Sequence, residues 1–150
     1  VEDVTTHHMH SEHYRISPSV ASYLSSLSSP LCVVGTTTMR ALESNATLTD
    51  SRIHGKTDLP AQAGLRVTPG AFATDIFIYP PYQFRMTDAL ITNFHLPGST
   101  LLMLVSAFCS YPNSAEQFTT FADSLLGRAY AEAIRENYRF FSFGDAMLIV

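Results

Sequence analysis

Residues 89–108 read ALITNFHLPGSTLLMLVSAF, and the fold class turns on this stretch. Ala89 to Phe94 is an apolar run of strand length. It runs out in Asn93, Phe94 and His95, after which Leu96-Pro97-Gly98 turns the chain sharply. Ser99 or Thr100 then caps an unusually apolar helix. A strand that gives way at once to a capped helix is a corner of a layered α/β fold. Open sheets of that kind bind ligands at the carboxyl ends of their strands. His95 therefore stands at the mouth of a crevice, beside the free amides of a helix N-terminus. An imidazole there suits a ligand that carries a carboxylate and a group needing proton transfer. The alternative is a histidine that satisfies a buried carbonyl.

The same arrangement recurs upstream. Residues 31–44 read LCVVGTTTMRALES: a short apolar run of the kind buried on both faces in a parallel sheet, then Gly35, then a helix with a threonine as its cap. Thr36, Thr37 and Thr38 crowd that helix N-terminus, where orphan amides and the dipole attract anions. Carboxylate or phosphate binding and plain capping fit the spacing equally; the pattern is neither a P-loop nor a dinucleotide fingerprint. Further out, a strand is expected near Glu12–Ile16. The next helix has Ser17 as N-cap and Pro18 at its first position, with Val20, Leu24 and Leu27 facing the core. Phe72–Tyr79 reads as a strand broken by Pro80-Pro81, and Asp145–Val150 as a closing strand. Ser114–Tyr138 reads as helix in two pieces, with capping-box spacing between Ser114 and Gln117 and a break near Asp123–Gly127. The polar, turn-rich residues 45–69 read as a long loop. Strands alternating with helices predict an α/β/α domain with a mainly parallel sheet.

Length and composition set the bounds. A chain of 150 residues makes one domain with a real core. Hydrophobic residues are 46% and charged residues only 15%, against roughly 25% in an average soluble domain. That excludes disorder and suggests that some surface is normally covered. The net charge is −4, with Lys56 the only lysine, so there is no basic excess for general nucleic-acid binding. Individual arginines can still fork onto phosphate or carboxylate. The thiols Cys32 and Cys109 make no disulfide framework and suit a reducing compartment. The longest apolar run, Leu101–Cys109, is too short to span a bilayer, and no secretory leader opens the sequence. A start at Val1 fits processing or a piece of a longer protein.

Three further groups carry chemistry. His8, His10 and Glu12 alternate, which on a strand puts them on one face where they could share a metal ion. A polar edge strand, or proton transfer without metal, is the competing reading. Tyr138, Phe140, Phe141 and Phe143 precede Gly144-Asp145 and could stack on a purine-like base, though such clusters are more often core. Arg128, Arg135 and Arg139, interleaved with Glu132 and Glu136, read as a paired, solvated helix face.

The strings HHMHSE, VVGTTTMRALES, TDIFIYPPYQFRMTDALITNFHLPGSTLLMLVSAF and YRFFSFGDAMLI together resemble the S-adenosylmethionine:tRNA ribosyltransferase-isomerases of queuosine synthesis. The resemblance covers the chain apart from residues 45–69, and Asp88–Phe108 is its most specific part. It picks out His7 and His10 as the family histidines. It implies the carboxyl-terminal part of the α/β catalytic domain of a protein more than twice this length, without the amino-terminal portion and its inserted β-barrel. It also implies the activity: the ribosyl group of S-adenosylmethionine passes to an aminomethyl-deazaguanine in tRNA and is isomerised to the epoxycyclopentane of epoxyqueuosine. Adenine and methionine leave. S-adenosylmethionine is then a substrate; no cofactor and no metal are implied. The expected partners are tRNA and S-adenosylmethionine, with no membrane, a cytoplasmic location and a monomer at full length.

On that resemblance His95 is the expected acid/base, with His10 and Glu12 as weaker catalytic candidates. Thr36, Thr37, Ser99 and Thr100, assisted by Arg40, would hold the methionine carboxylate or a tRNA phosphate. Asp88, Asn93 and Asp145 would read base or ribose edges. Two rival readings stand beside this one: a truncated, non-catalytic fragment that at most binds nucleoside or RNA, and a zinc hydrolase built on His8, His10 and Glu12.

Overall fold

The computed structural model describes residues 9–53 and 66–150. Its elements run β1 (Glu12–Ile16), α1 (Pro18–Ser25), β2 (Cys32–Val34), α2 (Thr36–Ile53), β3 (Gly70–Thr74), β4 (Ala89–Asn93), α3 (Thr100–Phe108), α4 (Leu125–Arg135) and β5 (Ala146–Ile149). This is a mixed α/β arrangement. Its sheets are less parallel than the alternation of elements suggests. β1 and β3 form a two-stranded antiparallel sheet, with Glu12 opposite Thr74 and Ile16 opposite Gly70. A second sheet has the order β2-β4-β5. Only β2 and β4 run parallel, Cys32 opposite Ala89 and Val34 opposite Ile91; β5 returns antiparallel, with Asn93 opposite Ala146. The expectation of a mainly parallel sheet is corrected on this point for the described residues. A closing strand can approach β4 from either direction, and local sequence does not specify which.

The core gathers on the central strand. Leu90 of β4 is fully buried, with Val33 of β2, Met39 of α2, Leu104 and Val105 of α3 and Leu126 of α4 around it. Ser17 caps α1 by accepting the amide of Val20, and Ser99 caps α3 by accepting that of Leu102, both as the residue types require. Not every expected face is covered. β2 buries Val33 but leaves Cys32 exposed and Val34 63% exposed, so it is covered on one face rather than two. On α1, Ala21 is buried while Val20 lies outside and Leu24 only lines the core. An open, largely apolar groove of about 570 Å³ runs here, lined by Tyr14, Val20, Leu24, Val34, Thr37 and Leu42.

Three further expectations change for local reasons. β3 spans Gly70–Thr74, not Phe72–Tyr79, because the Thr74 hydroxyl accepts the amide of Ile76 at 3.1 Å and gives the chain a local alternative to the ladder. No capping box forms at Ser114. Its hydroxyl donates to the carbonyl of Cys109 and accepts the amide of Glu116, closing a turn after α3; Ser124 caps α4 instead. Helix α2 continues to Ile53, so the first part of residues 45–69 is helical. Asn45 explains the continuation at its start. It is fully buried, donates to the carbonyl of Thr68 and accepts its amide at 2.8 Å, pinning the chain where it returns. Such a contact, 23 residues away in sequence, outweighs the poor helix propensity of Asn.

Glu43, also on α2, is fully buried. Its Oε1 accepts the amide of Met86 at 2.9 Å and the hydroxyl of Thr87, and its Oε2 accepts the amide of Arg85 at 3.0 Å. Burial pushes its carboxyl up from the ordinary value, against these hydrogen bonds and the nearby Arg85 charge. This clasp ties α2 to the segment that leads into β4.

Candidate active site

The carboxyl ends of β2 and β4 lie side by side. The amide of Gly35, just past β2, donates to the carbonyl of Ile91 in β4 at 2.8 Å. Gly35 takes φ 88°, a left-handed value that its missing side chain permits, and its carbonyl accepts the amide of Met39 as the first bond of α2. The helix thus begins at Thr36, with Gly35 at the cap position that the sequence assigned to a threonine. Thr36 is buried, whereas Thr37 is exposed and lines the groove beside Val34.

His95 lies two residues past the end of β4. Its Nε2 is 2.9 Å from the Thr92 hydroxyl, and its backbone amide donates to the Tyr130 hydroxyl at 2.8 Å. The residue is half-buried, and desolvation lowers its pKa, so the neutral imidazole is favoured. Burial also raises the Tyr130 phenol, although the hydrogen bond from His95 pulls the other way. Tyr130 is itself fixed by rings: Phe94 lies at 5.4 Å, Phe121 at 5.4 Å and Phe140 at 5.5 Å between centroids, all near edge-on. Ser99 and Thr100 begin α3 four and five residues beyond His95. An imidazole that favours its neutral form, beside a helix start, can both accept and donate a proton near neutral pH.

Other expected site residues go elsewhere. Asp88 precedes β4 and accepts the amide of Leu31 at 2.7 Å, just before β2. Because β2 and β4 are parallel, that is the amino end of both strands, at the opposite end of β4 from His95. Glu12 pairs with Arg40, whose Nε also donates to the carbonyl of Ile76 at 3.0 Å. Arg40 is buried at 2% exposure, and its Nη2 has no partner among the described residues. The catalytic candidate Glu12 and the anion-binding candidate Arg40 are thus each other's partners, joining β1 to α2. His10 is exposed and makes no hydrogen bond among the described residues, and His7 and His8 lie outside them. No three potential metal ligands gather among the described residues.

Asn93 and Asp145 do come together, through a hydrogen bond of 3.3 Å from the Asn93 amide to the Asp145 carbonyl. The Asp145 carboxylate, however, accepts the backbone amide of Arg139 at 2.7 Å and pairs with its guanidinium at 2.7 Å. Those bonds hold the carboxyl below its usual range and the guanidinium above its own. The loop they close carries Phe141, whose amide donates to the carbonyl of Phe94 at 2.9 Å. Tyr138 and Phe140 pack on Phe94, while Phe141 and Phe143 are exposed. The paired helix face is also smaller than expected. Arg135 pairs with Glu132 and Glu136, but Arg128 reaches Glu116 and Arg139 reaches Asp145. Sequence reading missed Thr92, Tyr130 and Glu43. Thr92 stands three residues before His95, the one local hint; the other two act across 35 and 42 or more residues.

A profile of the family described as queuosine biosynthesis protein matches residues 1–149. The chain belongs to that family. It is 46% identical over its whole length to S-adenosylmethionine:tRNA ribosyltransferase-isomerase of Symbiobacterium thermophilum, and 45% identical over 99% of its length to the protein of that name from Nitrosospira multiformis. It spans about 37% of the length of the first of these and 38% of the second. Among solved structures, that of S-adenosylmethionine tRNA ribosyltransferase from Thermotoga maritima matches 81% of this queuosine-family chain at 45% identity, with a TM-score of 0.52. The match covers 33% of that protein. Among the described residues, no helix is long and apolar enough to cross a membrane.

Proposed function

We propose that this queuosine-family chain supplies part of the active site of an S-adenosylmethionine:tRNA ribosyltransferase-isomerase, with His95 as acid/base. The observation that carries the reading is the placement of His95: ring and backbone are both held, at the carboxyl end of β4 and just ahead of the capped helix α3. The sulfonium of S-adenosylmethionine acidifies the adjacent ribose C–H. Removal of that proton gives an ylide; adenine departs, the amine of the deazaguanine attacks, and closure to the epoxide expels methionine. His95 would take or return a proton in this sequence. The helix starts at Thr36 and Ser99, with Thr37 and Thr100 beside them, are the sites for a carboxylate or phosphate. Asn93, at the end of β4, would meet a base or ribose edge near His95. The substrates are S-adenosylmethionine and tRNA, the setting is cytoplasmic, and no cofactor is required.

The test is turnover by the full-length enzyme carrying His95→Ala. Loss of epoxyqueuosine formation with S-adenosylmethionine binding retained supports the assignment; normal turnover refutes it. For these residues in isolation, the open apolar groove and the exposed Val34 favour a second reading, a fragment without turnover that at most binds nucleoside or RNA. Assays with and without the remaining portion of the enzyme separate the two.

A further inference from the structure

We infer that Thr92 is a positioning residue: it engages Nε2 of His95 and so makes Nδ1 the ring nitrogen that exchanges protons with substrate. The inference rests on the reading of His95 as acid/base and deepens it. Along β4, Leu90 and Thr92 share the buried face, and Ile91 and Asn93 the other. Thr92 is 5% exposed, and past Asn93 the chain brings the His95 ring back to its hydroxyl, 2.9 Å from Nε2. Tyr130 holds the backbone of the same residue from α4. Ring and main chain are thus fixed from two elements, as a proton-transfer group requires.

Nδ1 makes no hydrogen bond among the described residues. The sealed, unpartnered side-chain atoms found there are the Tyr14 hydroxyl and Arg40 Nη2, which leaves His95 Nδ1 within reach of solvent or ligand. A threonine hydroxyl suits the task because it rotates. It accepts from Nε2–H when Nδ1 is a bare base, and also when both nitrogens are protonated. It donates to Nε2 when Nδ1 alone carries the proton. A proton can therefore arrive and leave at Nδ1 without breaking the contact. The groups in contact with His95 are neutral: the Thr92 hydroxyl from β4 and the Tyr130 phenol from α4.

The experiment uses the full-length enzyme with Thr92→Val, Thr92→Ser and His95→Ala, and with nitrogen-15-labelled histidine. Thr92→Val keeps the shape and removes the hydroxyl. It should lower kcat about 10- to 100-fold, the scale of a misplaced catalytic group, with KM for S-adenosylmethionine within about 2-fold. It should also shift the pH profile and change the Nε2 resonance. Thr92→Ser should restore all of these. In the wild type, S-adenosylmethionine should perturb Nδ1 rather than Nε2; the reverse overturns the inference even if Thr92→Val fails to fold. A Thr92→Val enzyme with wild-type kcat and pH profile, beside an inactive His95→Ala, overturns the inference and leaves the role of His95 standing. An active His95→Ala overturns both.

Discussion

The Glu43 clasp offers a sharp quantitative test of how this fold is held. Replacing Glu43 by Leu leaves three donors without their acceptor: the amides of Arg85 and Met86 and the hydroxyl of Thr87. An orphaned buried donor costs about 1–3 kcal/mol, so the gross loss for three is roughly 3–9 kcal/mol. Part returns, because the carboxylate no longer has to be desolvated, a penalty visible in its raised pKa. The net expectation is about 3 kcal/mol of destabilisation. Glu43→Gln keeps one oxygen, enough for Met86 and Thr87, but turns an NH₂ toward the amide of Arg85; it should cost about 1–2 kcal/mol. Thr87→Val removes one of the bonds to the carboxyl group and should cost about 1–2 kcal/mol. The assay is urea unfolding of each variant, followed by far-UV circular dichroism. The pH dependence has a definite sign. The folded pKa lies above the ordinary 4.5, so the folded state holds the proton more tightly than the unfolded chain does. Wild-type stability therefore falls as pH rises from 4.5 through the folded pKa, and Glu43→Gln lacks that slope. A Glu43→Leu protein within about 1 kcal/mol of wild type, or no more affected than Thr87→Val, would refute the reasoning.

Other outcomes follow from the same geometry. Glu12→Ala strands the buried Arg40 guanidinium and should cost about 2–4 kcal/mol, the lower figure because Glu12 is partly exposed; Arg40→Met should cost less, since the charge it leaves behind, the Glu12 carboxylate, is partly open to solvent. Thermal unfolding of the two variants checks the order, and loss of turnover by Glu12→Ala at unchanged stability would return Glu12 to the chemistry. Gly127→Ala would place a Cβ 1.8 Å from the carbonyl oxygen of Phe121, a backbone atom with little room to yield, so a loss of about 3 kcal/mol is expected in the same melts. The depressed His95 pKa contributes stability that is present above 6.5 and is lost as pH falls through the folded value. Denaturation of His95→Gln from pH 7.5 down to pH 5, a range chosen to span the ordinary histidine pKa of about 6.5, should lack that component.

Much of the architecture was legible because its signals are local. Ser17 with Pro18, and Ser99 ahead of an apolar run, announce helix starts by their own chemistry, and β4 and α3 fall where residues 89–108 placed them. The failures share a cause. Phe72–Tyr79 has strand composition, but the Thr74 hydroxyl takes the amide that a longer ladder would have used. Asn45 looks like a loop residue until its partner Thr68 is known. The placement of His95, after a strand and before a capped helix, was legible. Its contacts with Thr92 and Tyr130 were not, since they exist only once the chain has bent back and α4 has packed against it.

Composition and order along the chain were enough for the α/β class, the family kinship and the position of His95 between a strand and a capped helix, because periodicity, caps and motifs are written in near neighbours. Three-dimensional packing alone chose the direction of β5, paired Glu12 with Arg40, moved Asp88 to the far end of the sheet and set Thr92 against the imidazole. Those outcomes depend on contacts between residues distant in sequence, and such contacts are selected by the burial and hydrogen bonding of the whole domain rather than by any local preference.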